Sequence, residues 1–215
     1  MSALARTALS EDAVTVAPRL LGSLLVHETE AGTVGVRIVE VEAYEGDADP
    51  GSHAFRGKTA RNAVMFAEAG LAYVYFTYGM HWCMNLVCGP SGRAAAVLLR
   101  AGEVVDGVAL AQARRGGRST VRDLARGPAR LCQALGVDGS CNGADLLCGG
   151  PLRLLPGAAV VAATVRSGPR VGLSAGATRP WRFWVDGDPA VSSYRPHAPR
   201  RAQARRPAPP TMPAG

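Results

Sequence analysis

LAYVYFTYGMHWCMNLV, residues 71–87, is the stretch from which the fold can be read. Two runs rich in aromatic and β-branched side chains, 71–77 and 80–87, flank Tyr78-Gly79, a spacing that predicts a β-hairpin closed by a tight two-residue turn. Alternation in the second arm puts Met80, Trp82, Met84 and Leu86 on one face and His81, Cys83 and Asn85 on the other.

Upstream, VGVRIVEVEAY (34–44) carries β-branched residues at alternate positions on both faces, as a buried strand does, and ends in the carboxylates Glu40 and Glu42. The next segment, 45–62, is rich in Gly, Asp and Pro and reads as a long loop, a length that inside a compact domain usually serves function. Downstream, AAAVLLR (94–100) reads as another buried strand, so three strands deliver Glu42, Asn85 and Arg100 at or near their ends. Residues 13–26 predict a short helix running into a strand, 103–147 helices in pieces, and 160–165 and 181–185 further strands. Arg114, Arg118, Arg122, Arg126 and Arg130 recur every four residues, which on a continuous helix would form one basic stripe, although Gly116-Gly117 and Gly127-Pro128 interrupt it. The fold class expected is α/β (α+β): a single mixed domain with a curved, largely antiparallel sheet, surrounding helices and a protruding β-hairpin. Its boundaries are expected at a flexible N-terminus (1–12), a domain (13–194) and a disordered Pro/Ala/Arg tail (195–215).

Composition narrows the function classes. No run of 18 apolar residues occurs and no leader pattern opens the chain, so a soluble, cytoplasmic protein without a membrane partner is expected. The five cysteines contain no C-x-x-C pair, which argues against a zinc knuckle and against a secreted disulfide framework. The net charge of +7 is concentrated in the tail; without Arg195, Arg200, Arg201, Arg205 and Arg206 it falls to +2. Bulk charge is therefore weak support for a nucleic-acid partner. Lys58 is the only lysine, which restricts amine chemistry to one side chain.

The order of VEVEAYEGDADPGSHA (39–54), MFAEAGLAYVYFTYGMHWCMN (65–85), AVLLRAGEVVDG (96–107) and GPARLCQALG (127–136) closely resembles the alkyladenine (3-methyladenine) DNA glycosylase family. The likeness runs from about residue 20 to 191. It implies a monofunctional base-excision repair enzyme without metal or cofactor, expected to be a monomer. Its partner would be double-stranded DNA holding alkylated or deaminated purines. A base inside a duplex is out of reach, so such an enzyme needs a wedge to fill the gap, an aromatic slot for the extruded base and a hydrolytic group. The resemblance gives Tyr78 as the intercalating wedge and Tyr44, His53 and Tyr75 as the slot. It gives Asn85 as the residue that rejects the exocyclic amino group of guanine. Glu42 would be the general base, Arg100 its partner, and the main-chain carbonyl of Val171 a further ligand of the attacking water.

Two other readings stay open. Glu40, Glu42, Asp47, Asp49 and His53 could ligate a metal in a hydrolase, although their spacing matches no known ligand pattern. A non-catalytic DNA-binding module of the same fold would need neither Glu42 nor Arg100.

Overall fold

The computed structural model describes residues 5–77 and 79–196. It has three short helices, α1 (Ala13–Arg19), α2 (Val108–Arg114) and α3 (Pro128–Leu135). Its strands are β1 (Leu24–Thr29), β2 (Gly32–Tyr44), β3 (Ala72–Thr77), β4 (His81–Val87), β5 (Ala96–Asp106), β6 (Leu152–Leu155), β7 (Val165–Gly168) and β8 (Arg182–Val185). All eight lie in one sheet of order β3-β4-β5-β2-β1-β6, with β8 joining β2 to β7, and every pairing is antiparallel. The mixed α/β domain expected from the sequence is the fold observed.

β2 is the spine. β5 runs along one edge, and the other edge is shared, β1 pairing with residues 32–37 and β8 with 40–42. The register with β5 slips three times, once between Gly35 and Val36 and twice around Glu40: Ile38 faces Gly102 and Glu40 faces Ala101, then Val41 faces Leu99. Val39 in β2 and Arg100 in β5 therefore have no partner across the ladder, a pair of compensating bulges. A bulge turns the strand by one residue and exchanges its faces. Before it, Val34, Val36 and Ile38 enter the main core; after it, Val41 and Ala43 do. Glu40, Glu42 and Tyr44 are thereby released to the opposite face. Arg100 consequently lies at the middle of a long β5, rather than at the end of a strand, because 101–106 continue the ladder instead of starting a helix. Gly102 permits this close pairing, since a Cβ there would lie 2.3 Å from Val36 Cγ1 and 2.5 Å from the Arg37 carbonyl oxygen.

One face of the sheet is closed by the helices. Leu131, Cys132, Ala134 and Leu135 of α3 and Val16 and Ala17 of α1 share a core with Met84, Leu86, Val97 and Leu99. That is the apolar face the alternation in the hairpin predicts. The N-cap Asp12 accepts from the Thr15 amide at 2.7 Å and starts α1, and Pro128 starts α3 at a position where its missing N–H costs nothing.

Other expectations are corrected. Residues 6–9, expected to be flexible, form a 3-10 turn with Leu9 buried and Arg6 bonded to Asp145 at 2.6 Å. The hairpin connection spans three residues, 78–80, because Thr77 pairs with His81. Within 160–165, residues 162–164 form a 3-10 turn and the strand starts only at Val165. No single basic stripe forms, because the five arginines fall on separate elements. Arg114 donates to the carbonyls of Ala134 and Leu135 at the end of α3, and Arg126 donates to Val191. The strand β6 was not anticipated. Residues 197–215 of the proposed tail lie outside the described residues. Among the described residues no helix is long and apolar enough to cross a membrane.

Candidate active site

A cavity of about 360 Å³ opens on the side of the sheet that carries Glu42 and Tyr44, with Pro128 and Ala129 at the start of α3 also lining it. Glu42, Tyr44, His53, Tyr75, Asn85, Arg100 and Val171 all line it, so the structure brings together seven of the eight residues singled out by sequence. The eighth, Tyr78, lies outside the described residues; Phe76 and Met80, two positions away on either side, are exposed.

Glu42 is fully buried and reaches the cavity floor from β2. Its Oε2 accepts from the Tyr44 hydroxyl at 2.8 Å and its Oε1 from the Val171 amide at 2.7 Å. Arg100 Nη1 stands 3.3 Å from Oε1. The contact that Val171 makes is thus through its N–H. Burial and then the negative charge of Glu42 push the Tyr44 phenol well up, so it stays a neutral donor.

Glu40 is equally buried but fully engaged elsewhere. It accepts from Arg100 Nε at 2.9 Å, Arg182 Nε at 2.7 Å, and the Ser192 amide and hydroxyl at 2.7 and 3.0 Å. Burial alone would raise its carboxyl; the two guanidiniums outweigh that and hold it below the ordinary range. Arg100 is in turn divided between two carboxylates, which overcome the effect of burial and raise its pKa.

The aromatic residues sit on the wall made by β3 and the loop after β2. His53 and Tyr75 meet edge to face at 4.5 Å, and Tyr75 stacks on Tyr73 at 5.5 Å. His53 Nδ1 lies 3.1 Å from the Tyr73 hydroxyl. Burial, then the charge of Arg61, lower the His53 pKa, so the ring is uncharged near neutrality. Asn85 lines the cavity and also donates from its amide nitrogen to the Tyr73 carbonyl at 3.0 Å, so it is both a site residue and a strand-bonding one.

Sequence reasoning missed Tyr73, although it shares strand parity with Tyr75 and could have been found from that. It also missed Leu98, which faces both Glu42 and Asn85 across the ladder, and Arg170, which had no local signal. A metal-ligand set is disfavoured by what the carboxylates do: Glu40 Oε1 is taken by Arg100 and Arg182 and its Oε2 by the Ser192 amide, and the oxygens of Asp49 are taken by Arg170.

Residues 7–189 match the family described as Methylpurine-DNA glycosylase (MPG). A Streptomyces avermitilis protein named "Putative 3-methyladenine DNA glycosylase" is 56% identical over 201 residues, covering 92% of this chain and 94% of its own length. Proteins of the same name from Leifsonia xyli and Burkholderia orbicola are 54% and 47% identical, over 89% and 86% of this chain and 92% and 88% of their own lengths. With the match extending over nearly all the described residues, the chain belongs to the methylpurine-DNA glycosylase family.

Proposed function

We propose that this DNA glycosylase acts in base-excision repair by turning an alkylated or deaminated purine, such as 3-methyladenine or hypoxanthine, out of duplex DNA. It then hydrolyses the N-glycosidic bond with a water activated by Glu42. The observation that carries this is a single buried carboxylate, Glu42, at the floor of an aromatic-walled cavity, with a guanidinium 3.3 Å away.

The cavity volume falls in the lower part of the range for small-molecule sites, which run from about 300 to 1,000 Å³. It suits one extruded base. Tyr44, His53 and Tyr75 offer π faces to an electron-poor purine, and the bulk of Asn85 opposes the exocyclic amino group of guanine. As the bond breaks, the sugar gains oxocarbenium character. Glu42 would accept the proton of the attacking water and stabilise the cationic sugar, while Arg100 and the Val171 carbonyl help hold the water. Tyr78, between Thr77 and Gly79 in sequence, would fill the gap in the duplex. Residues 13–194 form the glycosylase domain in this reading. The enzyme works as a cytoplasmic monomer, needs no cofactor and leaves an intact abasic strand.

Glu42→Gln tests it. The variant keeps its shape but can neither take a proton nor carry charge. It should lose at least about a hundredfold in single-turnover excision of hypoxanthine. Duplex affinity should stay within roughly tenfold, because uncharged contacts to the base persist. Near-normal excision would remove the mechanism.

A further inference from the structure

Behind the cavity wall lies a group that the mechanism above does not use. Asp49 and Arg170, 121 residues apart in sequence and both buried, form a two-pronged ion pair, with Nη1 to Oδ2 at 2.5 Å and Nη2 to Oδ1 at 2.6 Å. Besides contacts to Glu45, Gly176 and Arg179, the pair reaches three segments of the site. Nη1 also donates at 2.9 Å to the carbonyl of Ala43, the residue between Glu42 and Tyr44. The guanidinium carbon lies 4.6 Å from the centre of the Tyr44 ring, with the Trp181 ring at 5.2 Å. The next residue in the chain, Val171, places its N–H on Glu42 Oε1. On the other side, Asp49 Oδ1 accepts from the amide of Gly51 at 3.0 Å, and Gly51 lines the cavity two residues before His53.

We propose that the Asp49–Arg170 pair is a positioning device for excision, holding the Val171 amide on Glu42 and the Tyr44 ring in its plane. Slot and hydrolytic carboxylate are thereby kept in register. The proposal rests on the roles given to Glu42 and Tyr44 above. A planar guanidinium held at two points fixes orientation as well as distance, which one point charge cannot do. Buried ion pairs are weak sources of stability compared with apolar packing of the same volume. Stability alone therefore gives little reason for this pair, and Arg170 Nε is even left without a partner among the described residues. The contacts it does make join three separate segments of the site.

Two variants test the proposal. Arg170→Lys keeps the charge and removes the fork. Gly51→Ala keeps both charges, but its Cβ would stand 2.9 Å from Arg170 Nη2 and 2.8 Å from Leu173 Cδ1, displacing the guanidinium. Each is compared with the parent and with Glu42→Gln on one hypoxanthine duplex, by thermal unfolding, equilibrium binding and single-turnover excision at saturating enzyme. Both variants should unfold cooperatively and bind within about threefold of the parent. Their saturated excision should be slower by about 10- to 100-fold, the scale of a misplaced reacting group. A role in packing alone would not separate rate from affinity in this way. A folded variant that excises within about twofold of the parent, or that loses affinity as much as rate, overturns the proposal. If Arg170→Lys does not fold, Gly51→Ala decides by the same criteria. Normal excision beside an inactive Glu42→Gln overturns the positioning role alone; normal excision by Glu42→Gln as well overturns the role of Glu42.

Discussion

Glu40 and Glu42 lie two residues apart on one strand face, both fully buried and both touching Arg100, yet exchanging each for Gln should have opposite consequences. At Glu40 the carboxylate receives four hydrogen bonds, from Arg100, Arg182 and both donors of Ser192. An amide there turns an N–H toward donors and leaves the Arg182 guanidinium without its carboxylate, while Arg100 keeps only Glu42. Breaking a buried pair costs about 3–5 kcal/mol; because Arg100 keeps Glu42, about 3 kcal/mol applies. For a domain of this size each kcal/mol moves Tm by roughly 2–4 °C, so Glu40→Gln should melt about 6–12 °C lower. Glu42→Gln leaves the Glu40 network whole and retains an acceptor for Val171, so it should cost about 1 kcal/mol of stability. Its hundredfold loss in excision corresponds to about 2.7 kcal/mol of barrier. Glu40→Gln, assayed well below its own Tm, should excise within about tenfold of the parent, since about 1.4 kcal/mol covers a modest shift of Arg100. Calorimetry and single-turnover excision on the same preparations give the comparison. If Glu40→Gln melted with the parent and lost as much excision as Glu42→Gln, the hydrolytic carboxylate would have been placed at the wrong residue.

The depressed pKa of His53 predicts a pH effect. The unfolded chain takes a proton near the ordinary value of 6.5 that the native ring refuses, so this contribution is complete above 6.5 and is lost as pH falls below it, levelling once the depressed value is passed. Chemical denaturation of His53→Gln should lack that component, and an unchanged slope below 6.5 would refute the attribution. Gly102→Ala forces a Cβ into Val36 and the Arg37 carbonyl and should destabilise by about 2–3 kcal/mol, measurable in urea; a neutral result would mean the bulge relaxes freely. Borohydride should trap no protein–DNA adduct, because a Schiff base needs an amine and Lys58 sits beside Phe66, its nitrogen 5.7 Å from that ring's centre. Tyr78→Ala should slow excision from duplex by removing stacking worth on the order of 1–3 kcal/mol, and a wild-type single-turnover rate would end its role as wedge.

Much of the fold was legible because β2 and the β3–β4 hairpin carry period-two and β-branched signals that few other elements produce. The cavity residues were legible through family likeness, and the structure gathers all of those it describes. What could not be read was long-range. Simple parity puts Glu40 and Glu42 on the same face as Val34, Val36 and Ile38, and only the register with β5 shows that Val39 and Arg100 bulge and free them. Nothing local joins Asp49 to Arg170 across 121 residues. The apolar run at 160–165 resembles a strand, but Ala162–Thr164 turn in a 3-10 helix instead. The arginines at four-residue spacing were a pattern without a continuous helix to carry it.

Besides Tyr44 and Arg100, the partners of three buried carboxylates come long after β2 in sequence: Val171 for Glu42, Arg170 for Asp49, and Arg182 with Ser192 for Glu40. Synthesis delivers β2 and the hairpin long before those groups leave the ribosome. Until then three acidic side chains destined for burial must stay in water, and β2 has no β8 along the second half of its free edge. The carboxylate face of β2 can therefore close fully only after residues 170–192 have been made, whereas its apolar face already has β5 and the hairpin to pack with.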